Sequence, residues 1–151
     1  MYIFALIVLC ASVFDAIDGY VARKTKKTSR FGGFLDATLD RISDFFYITA
    51  FGYAGLVVWE MVVLALFTTL LVSYTRARGE ATLQTGLKLG EGMFQRSGRI
   101  IFIGVFLLLF IGFPELRIFE KNVLGTGLLL ITVFNSVTIV QRTLSVYKKL
   151  S

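Results

Sequence analysis

The 151-residue chain contains no histidine. That removes the commonest general base near neutral pH and the commonest metal ligand. Ser-His-Asp catalysis, His-ligated zinc and His-held haem are excluded with it. A single cysteine, Cys10, leaves no partner for an internal disulfide and no thiolate cluster. Charge is also scarce: 17% of residues are charged, against about 25% in an ordinary soluble domain. Any metal site must therefore be built from oxygen donors.

What is present is apolar. Hydrophobic residues make up 56% of the chain and aromatic residues 15%, chiefly phenylalanine, with a mean hydropathy of +0.75. This is too apolar for a disordered chain. A soluble globule of this length could not bury so much apolar surface. The net charge of +6 fits a lipid surface better than nucleic acid, and no nucleic-acid partner is expected.

The charges are clustered. None occurs from Met1 to Phe14, from Phe45 to Trp59, from Met61 to Thr75, from Ile100 to Pro114 or from Asn122 to Gln141. A membrane helix needs roughly 17–25 mainly apolar residues, and each interval approaches that length once flanking turns are added. The pattern predicts an all-α, polytopic membrane protein with five transmembrane helices, at about Met1–Val21, Gly33–Trp59, Met61–Arg78, Arg96–Phe113 and Asn122–Lys148. All belong to one domain, residues 1–151. Strands are not expected, because the apolar runs lack period-two alternation and no Asn-Gly or Asp-Gly pair joins two alternating runs.

Basic residues give an orientation. Arg23, Lys24, Lys26, Lys27 and Arg30 follow the first predicted helix. Arg76, Arg78, Lys88, Arg96 and Arg99 surround the connection between the third and fourth, and Arg142, Lys148 and Lys149 close the chain. By the positive-inside rule these three regions are cytoplasmic, and the chain is a multi-pass cell-membrane protein with its charged face toward the cytoplasm. Alternation then puts Met1 outside, with no basic residue ahead of the first helix. The expectation that follows is a missing N-terminal helix.

Four aspartates stand where a membrane makes them costly. Asp15 and Asp18 are three apart; Asp36 and Asp40 are four apart. Both spacings put a pair on one helical face. A single aspartate here is most simply a helix cap, but four at close range repel one another unless cations compensate them. Oxygen-only ligation suits Mg²⁺, Mn²⁺ or Ca²⁺, and two ions can clamp a phosphoryl group between them. Asp44 and Arg41 extend the same face, and are expected to form an ion pair within or between helices.

These aspartates belong to a longer pattern. Asp15-Ala16-Ile17-Asp18-Gly19-Tyr20-Val21-Ala22-Arg23, eight further residues, then Gly32-Gly33-Phe34-Leu35-Asp36-Ala37-Thr38-Leu39-Asp40 fills every fixed position of D-x2-D-G-x2-A-R-x8-G-x3-D-x3-D. The pattern resembles the signature of the CDP-alcohol phosphatidyltransferase family. Average residue frequencies put a chance match on the order of 10⁻⁷ or below. The resemblance implies a fold of six membrane helices, one more than this chain holds, a homodimer, a CDP-lipid donor (CDP-diacylglycerol or CDP-archaeol) and two divalent ions, Mg²⁺ or Mn²⁺. It implies that Asp15, Asp18, Asp36 and Asp40 hold metal and that Asp40 is also the catalytic base. It further implies that Asp18, Gly19, Ala22, Arg23 and Gly32 receive the nucleotide.

Arginines on three separate predicted helices suggest phosphate, since guanidinium makes bidentate phosphate contacts. Ser73-Tyr74-Thr75-Arg76-Ala77-Arg78-Gly79-Glu80-Ala81 and Gln95-Arg96-Ser97-Gly98-Arg99 resemble the branch of the family that makes phosphoinositol lipids. Gln95 stands where that branch commonly has glutamate. The resemblance implies that Arg76, Arg99 and Arg142 bind the phosphate of an inositol phosphate acceptor. The expected activity is transfer of a phosphatidyl or archaetidyl group to inositol 1-phosphate with release of CMP. The alternatives are the same chemistry on glycerol 3-phosphate, serine or free inositol, or a small cation transporter built on the aspartates.

Overall fold

The computed structural model describes residues 30–83, 96–118 and 120–151, with Arg30 and Ser97 described in their backbone only. The predicted helix Met1–Val21 lies outside them. Among the described residues there are four helices: α1 (Arg30–Tyr53), α2 (Trp59–Leu83), α3 (Arg96–Gly112) and α4 (Val123–Leu150). Uniformly apolar segments take this form because lipid offers no partner to a backbone group, and a helix satisfies its own. α2 and α4 are long and apolar enough to cross a membrane, with mean hydropathies of 1.3 and 2.0, and α3 contributes the shorter apolar stretch Gly98–Gly112.

The boundaries depart from expectation where local chemistry intervenes. α1 ends at Tyr53, short of the predicted Trp59, because Gly55 takes a left-handed conformation (φ 67°). The Gly55 N–H then donates to the Gly52 carbonyl and the Leu56 N–H to the Phe51 carbonyl, closing the helix as a Schellman motif. α2 starts at Trp59 and runs to Leu83 rather than Arg78. Its extra turn is tied by an Arg76–Glu80 pair and by the Thr82 hydroxyl donating to the Arg78 carbonyl. Between α3 and α4 a short antiparallel hairpin forms, β1 (Arg117–Ile118) with β2 (Lys121–Asn122). No strand was expected here. Its turn uses Glu120 at φ 61°, not the Asn-Gly or Asp-Gly signal.

α2 and α4 form the principal packed pair; α4 also packs on α3, and α1 on α2. The apolar core comprises Ile48, Phe51, Val57, Val62, Ala65, Leu107, Leu124, Leu128 and Ile131. Gly127 lets α3 approach α4: a Cβ there would lie 2.7 Å from the Phe106 ring. Between α2 and α4 the Asn135 amide donates to the hydroxyls of Thr69 (3.0 Å) and Thr68 (3.3 Å), all fully buried or nearly so. The outer surface is apolar, with Phe31, Phe34, Phe46, Phe67 and Ile101 all exposed. Such a surface suits lipid and not water.

The two ends of the bundle differ. One holds the α1–α2 turn, the hairpin and the start of α4. There Asn122 caps α4 by accepting from the Gly125 N–H (2.7 Å) and donates from its amide to the Leu56 carbonyl. Tyr53 and Trp59 meet edge-to-face at 5.0 Å, an arrangement suited to a membrane interface. The other end collects the first turns of α1 and α3 and the last turns of α2 and α4, and with them most of the charge.

Gly127→Ala should force the α3–α4 contact apart and destabilise the protein by about 1–3 kcal/mol. Thermal unfolding in detergent measures this. In a Phe106→Ala background the same substitution should cost much less, whereas an unchanged melting temperature in the single variant would refute the close approach.

Candidate functional site

Asp36, Asp40 and Asp44 follow one another at four-residue intervals on one face of α1, and their burial deepens along it. Asp36 is exposed, Asp40 is half-buried and Asp44 is 6% exposed. The first turn of α3 brings two arginines against this face. The Arg96 Nη1 lies 2.6 Å from Asp40 Oδ1, and its Nε lies 3.8 Å from Asp44 Oδ1. The Arg99 Nη2 donates to Asp44 Oδ2 at 2.8 Å. Arg96 therefore reaches two carboxylates one turn apart, and Arg99 holds the second of them from the far side.

The expected pair of Asp44 with Arg41 gives way to two other pairings. Asp44 pairs between helices, with Arg99. Arg41 stays within α1: its Nη1 donates to the Ala37 carbonyl at 2.5 Å and lies 3.7 Å from Asp40 Oδ2. The Asp44–Arg99 pair is the strongest constraint, because both residues are almost wholly removed from solvent. A buried charge that loses its partner is costly.

The three arginines singled out by sequence converge from three helices. Arg142 is 3% exposed and donates through Nη1 to the Val72 carbonyl of α2 at 2.6 Å. It lies close enough to Arg76 and Arg99 to feel both charges, with Glu80 opposing them. Arg76 in turn pairs with Glu80 at 3.1 Å. Two of these guanidinium groups are buried and the third, Arg76, is 43% exposed at its side chain; like charges brought this near repel one another, so the arrangement favours an anion among them.

Gly32 lies exposed in the first turn of α1, beside the aspartate face. Asp15, Asp18, Gly19, Ala22 and Arg23 lie outside the described residues. No three His, Cys, Asp or Glu residues gather as a metal cluster among the described ones. The described part of the expected metal set is Asp36 and Asp40, whose carboxylate oxygens are hard donors. Asp40 already draws a cationic group at contact distance, so these residues fit a divalent ion of the Mg²⁺ or Mn²⁺ kind. Sequence reasoning treated Arg96 as one of a basic set and did not foresee its contact with Asp40. The available signal was the Arg96–Arg99 spacing, which presents two guanidinium groups to the Asp40–Asp44 ladder.

Residues 1–140 match the family model described as CDP-alcohol phosphatidyltransferase. The chain is 36% identical over 149 residues to the archaetidylinositol phosphate synthase of Pyrococcus horikoshii, covering 98% of this chain and 72% of the relative's length. Its fold is similar to the crystal structure of Mycobacterium tuberculosis phosphatidylinositol phosphate synthase with CDP-DAG bound. That likeness has a TM-score of 0.73 at 30% identity, over 95% of this chain and 72% of the other. The same mycobacterial enzyme in complex with manganese and citrate gives a TM-score of 0.72 at 30% identity, over 95% of this chain and 68% of the other. The chain belongs to the CDP-alcohol phosphatidyltransferase family and is a transferase of that type.

Asp44→Ala should cost about 3–5 kcal/mol in stability, because it strands the Arg99 charge in the interior. A double-mutant cycle with Arg99→Met, read by chemical or thermal unfolding, should show the combined loss well below the sum of the single losses. Additive losses would mean that the two side chains do not support each other.

Proposed function

We propose that this protein transfers the phosphatidyl or archaetidyl group of a CDP-lipid to the hydroxyl of inositol 1-phosphate, releasing CMP. The observation that carries the acceptor assignment is the convergence of Arg76, Arg99 and Arg142 from three helices beside the aspartate face of α1. A phosphate-bearing alcohol gives those charges a partner; serine and free inositol do not. Glycerol 3-phosphate shares the phosphate and is separated by product mass spectrometry. The cation-transporter reading is set aside by family membership.

In this reading Asp15, Asp18, Asp36 and Asp40 hold the divalent ions, taken to be two of Mg²⁺ or Mn²⁺. The ions, when bound, neutralise the diphosphate of the donor and the CMP leaving group. Asp18, Gly19, Ala22, Arg23 and Gly32 receive the nucleotide, the small residues allowing close approach of ligand to backbone. Arg76, Arg99 and Arg142 hold the acceptor phosphate and so aim its hydroxyl toward Asp40. Asp40 takes the hydroxyl proton as the new oxygen–phosphorus bond forms and the bond to CMP breaks.

The same proposal includes a homodimer, five membrane-spanning helices in this chain and a site facing the cytoplasm from the cell membrane. The dimer rests on family resemblance. The spans and orientation rest on the charge-free intervals and on the basic residues gathered at the aspartate end.

Purified protein supplied with CDP-lipid, inositol 1-phosphate and Mg²⁺ should release CMP in step with a phosphoinositol lipid. CMP release without an acceptor-dependent lipid product would overturn the acceptor assignment. Asp40→Asn should abolish turnover while leaving the melting temperature near that of the wild type, and wild-type activity in this variant would remove Asp40 as the base. Arg76→Ala should raise KM for inositol 1-phosphate by roughly tenfold or more, the loss expected for one charged hydrogen bond. KM for the CDP-lipid should stay unchanged, and an equal effect on both substrates would contradict an acceptor-specific role.

A further inference from the structure

The contact between Arg96 and Asp40 has no place in the transfer chemistry. Asp40 is read above as a cation ligand, yet its Oδ1 is held at 2.6 Å by a guanidinium. A divalent ion and a guanidinium compete for the same carboxylate oxygen, since their charges repel at that range. An ion that takes Oδ1, or that engages both oxygens of Asp40, displaces Arg96. The structure also shows where it can go: its Nε is 3.8 Å from Asp44 Oδ1. Asp44 is held in place by Arg99 through its other oxygen, so Oδ1 is a fixed acceptor roughly 0.6 Å beyond hydrogen-bond range.

The geometry points to Arg96 as a mobile internal counter-ion, shared between Asp40 and Asp44, that occupies Asp40 when no divalent ion is bound and falls back on Asp44 when one is. This inference rests on the assignment of Asp40 as a cation ligand and deepens it. Arg96 suits the part. It is at the first residue of α3, its side chain is 24% exposed, and its long stem can swing through the needed distance without moving the helix. It is a positioning residue: it holds the Asp40 carboxylate aimed until an ion takes its place. The affinity for the ion is lowered by the competition. Asp44 then has a second role besides pairing with Arg99, as the acceptor that makes release of Asp40 possible.

The test is Mn²⁺ binding to the purified protein in detergent, followed by electron paramagnetic resonance without any lipid or acceptor. Arg96→Gln should tighten Mn²⁺ binding by roughly tenfold, because the competing charge is gone. Arg96→Lys should not, since it retains the charge. Asp44→Asn should weaken Mn²⁺ binding in the wild-type background, where Arg96 has lost its fallback. It should change binding little in the Arg96→Gln background. That non-additivity separates a shared side chain from a simple sum of charges, which predicts equal losses in both. If Asp44→Asn does not fold, the Arg96→Gln result decides alone. Binding unchanged or weakened in Arg96→Gln overturns the inference and leaves the aspartate site standing. Absence of Mn²⁺ binding to the wild type overturns both.

Discussion

The arrangement at the charged end depends on one buried ion pair. Asp44 and Arg99 meet at 2.8 Å with almost no solvent contact, inside a bundle with a largely apolar exterior and core. Neither charge is tolerable there alone. Their contact ties α1 to α3 at the level where the aspartate face of one helix meets the first turn of the other. Once it is set, helical periodicity places the neighbours. Asp40 lies one turn from Asp44 toward the surface and meets Arg96. On the other side of Arg99 lie Arg142 and Arg76, brought by α4 and α2. The pair thus stands between an anionic face that can take cations and a cationic group that can take an anion.

The opposite end achieves order by different means. Gly55 closes α1, Asn122 caps α4 and reaches the α1–α2 turn, and Tyr53 packs on Trp59. These are backbone caps and aromatic contacts, independent of ion binding. Between the ends, Asn135 ties α2 to α4 through Thr68 and Thr69. In lipid, apolar surface gives helices no reason to prefer each other, so small residues and buried polar contacts set the packing. Gly127 against Phe106 and Asn135 against two threonines are the corresponding devices here.

Much of this was legible in the chain and some was not. Charge-free intervals located the middles of the four described helices, whose charges gather toward their ends. Helical spacing put Asp36 and Asp40 on one face. The end of α1 was misplaced because the interval from Phe45 to Trp59 holds no charge. The break came from the backbone of Gly55, which hydropathy does not register. The hairpin was missed because Glu120 takes a left-handed conformation without a residue type that announces it. The pairing of Asp44 with Arg99, and of Asp40 with Arg96, was out of reach for a deeper reason. It depends on the rotation and axial offset of α1 against α3, and 55 residues of sequence separate Asp44 from Arg99. Asp15, Asp18, Gly19, Ala22 and Arg23 rest on motif resemblance, since they lie outside the described residues.

The missing histidine acquires a physical sense from this geometry. Imidazole changes charge near neutral pH, so a site built on it would change state with the acidity of its surroundings. Guanidinium stays charged at any physiological pH. The described charged end is built from carboxylates and guanidinium groups, Asp40 against Arg96, Asp44 against Arg99 and Glu80 against Arg76. In the proposed reading what changes is the partner of Asp40, Arg96 or a divalent ion. Asp44 stays paired with Arg99 throughout, so the most deeply buried carboxylate keeps its counter-charge while Asp40 exchanges one cation for another.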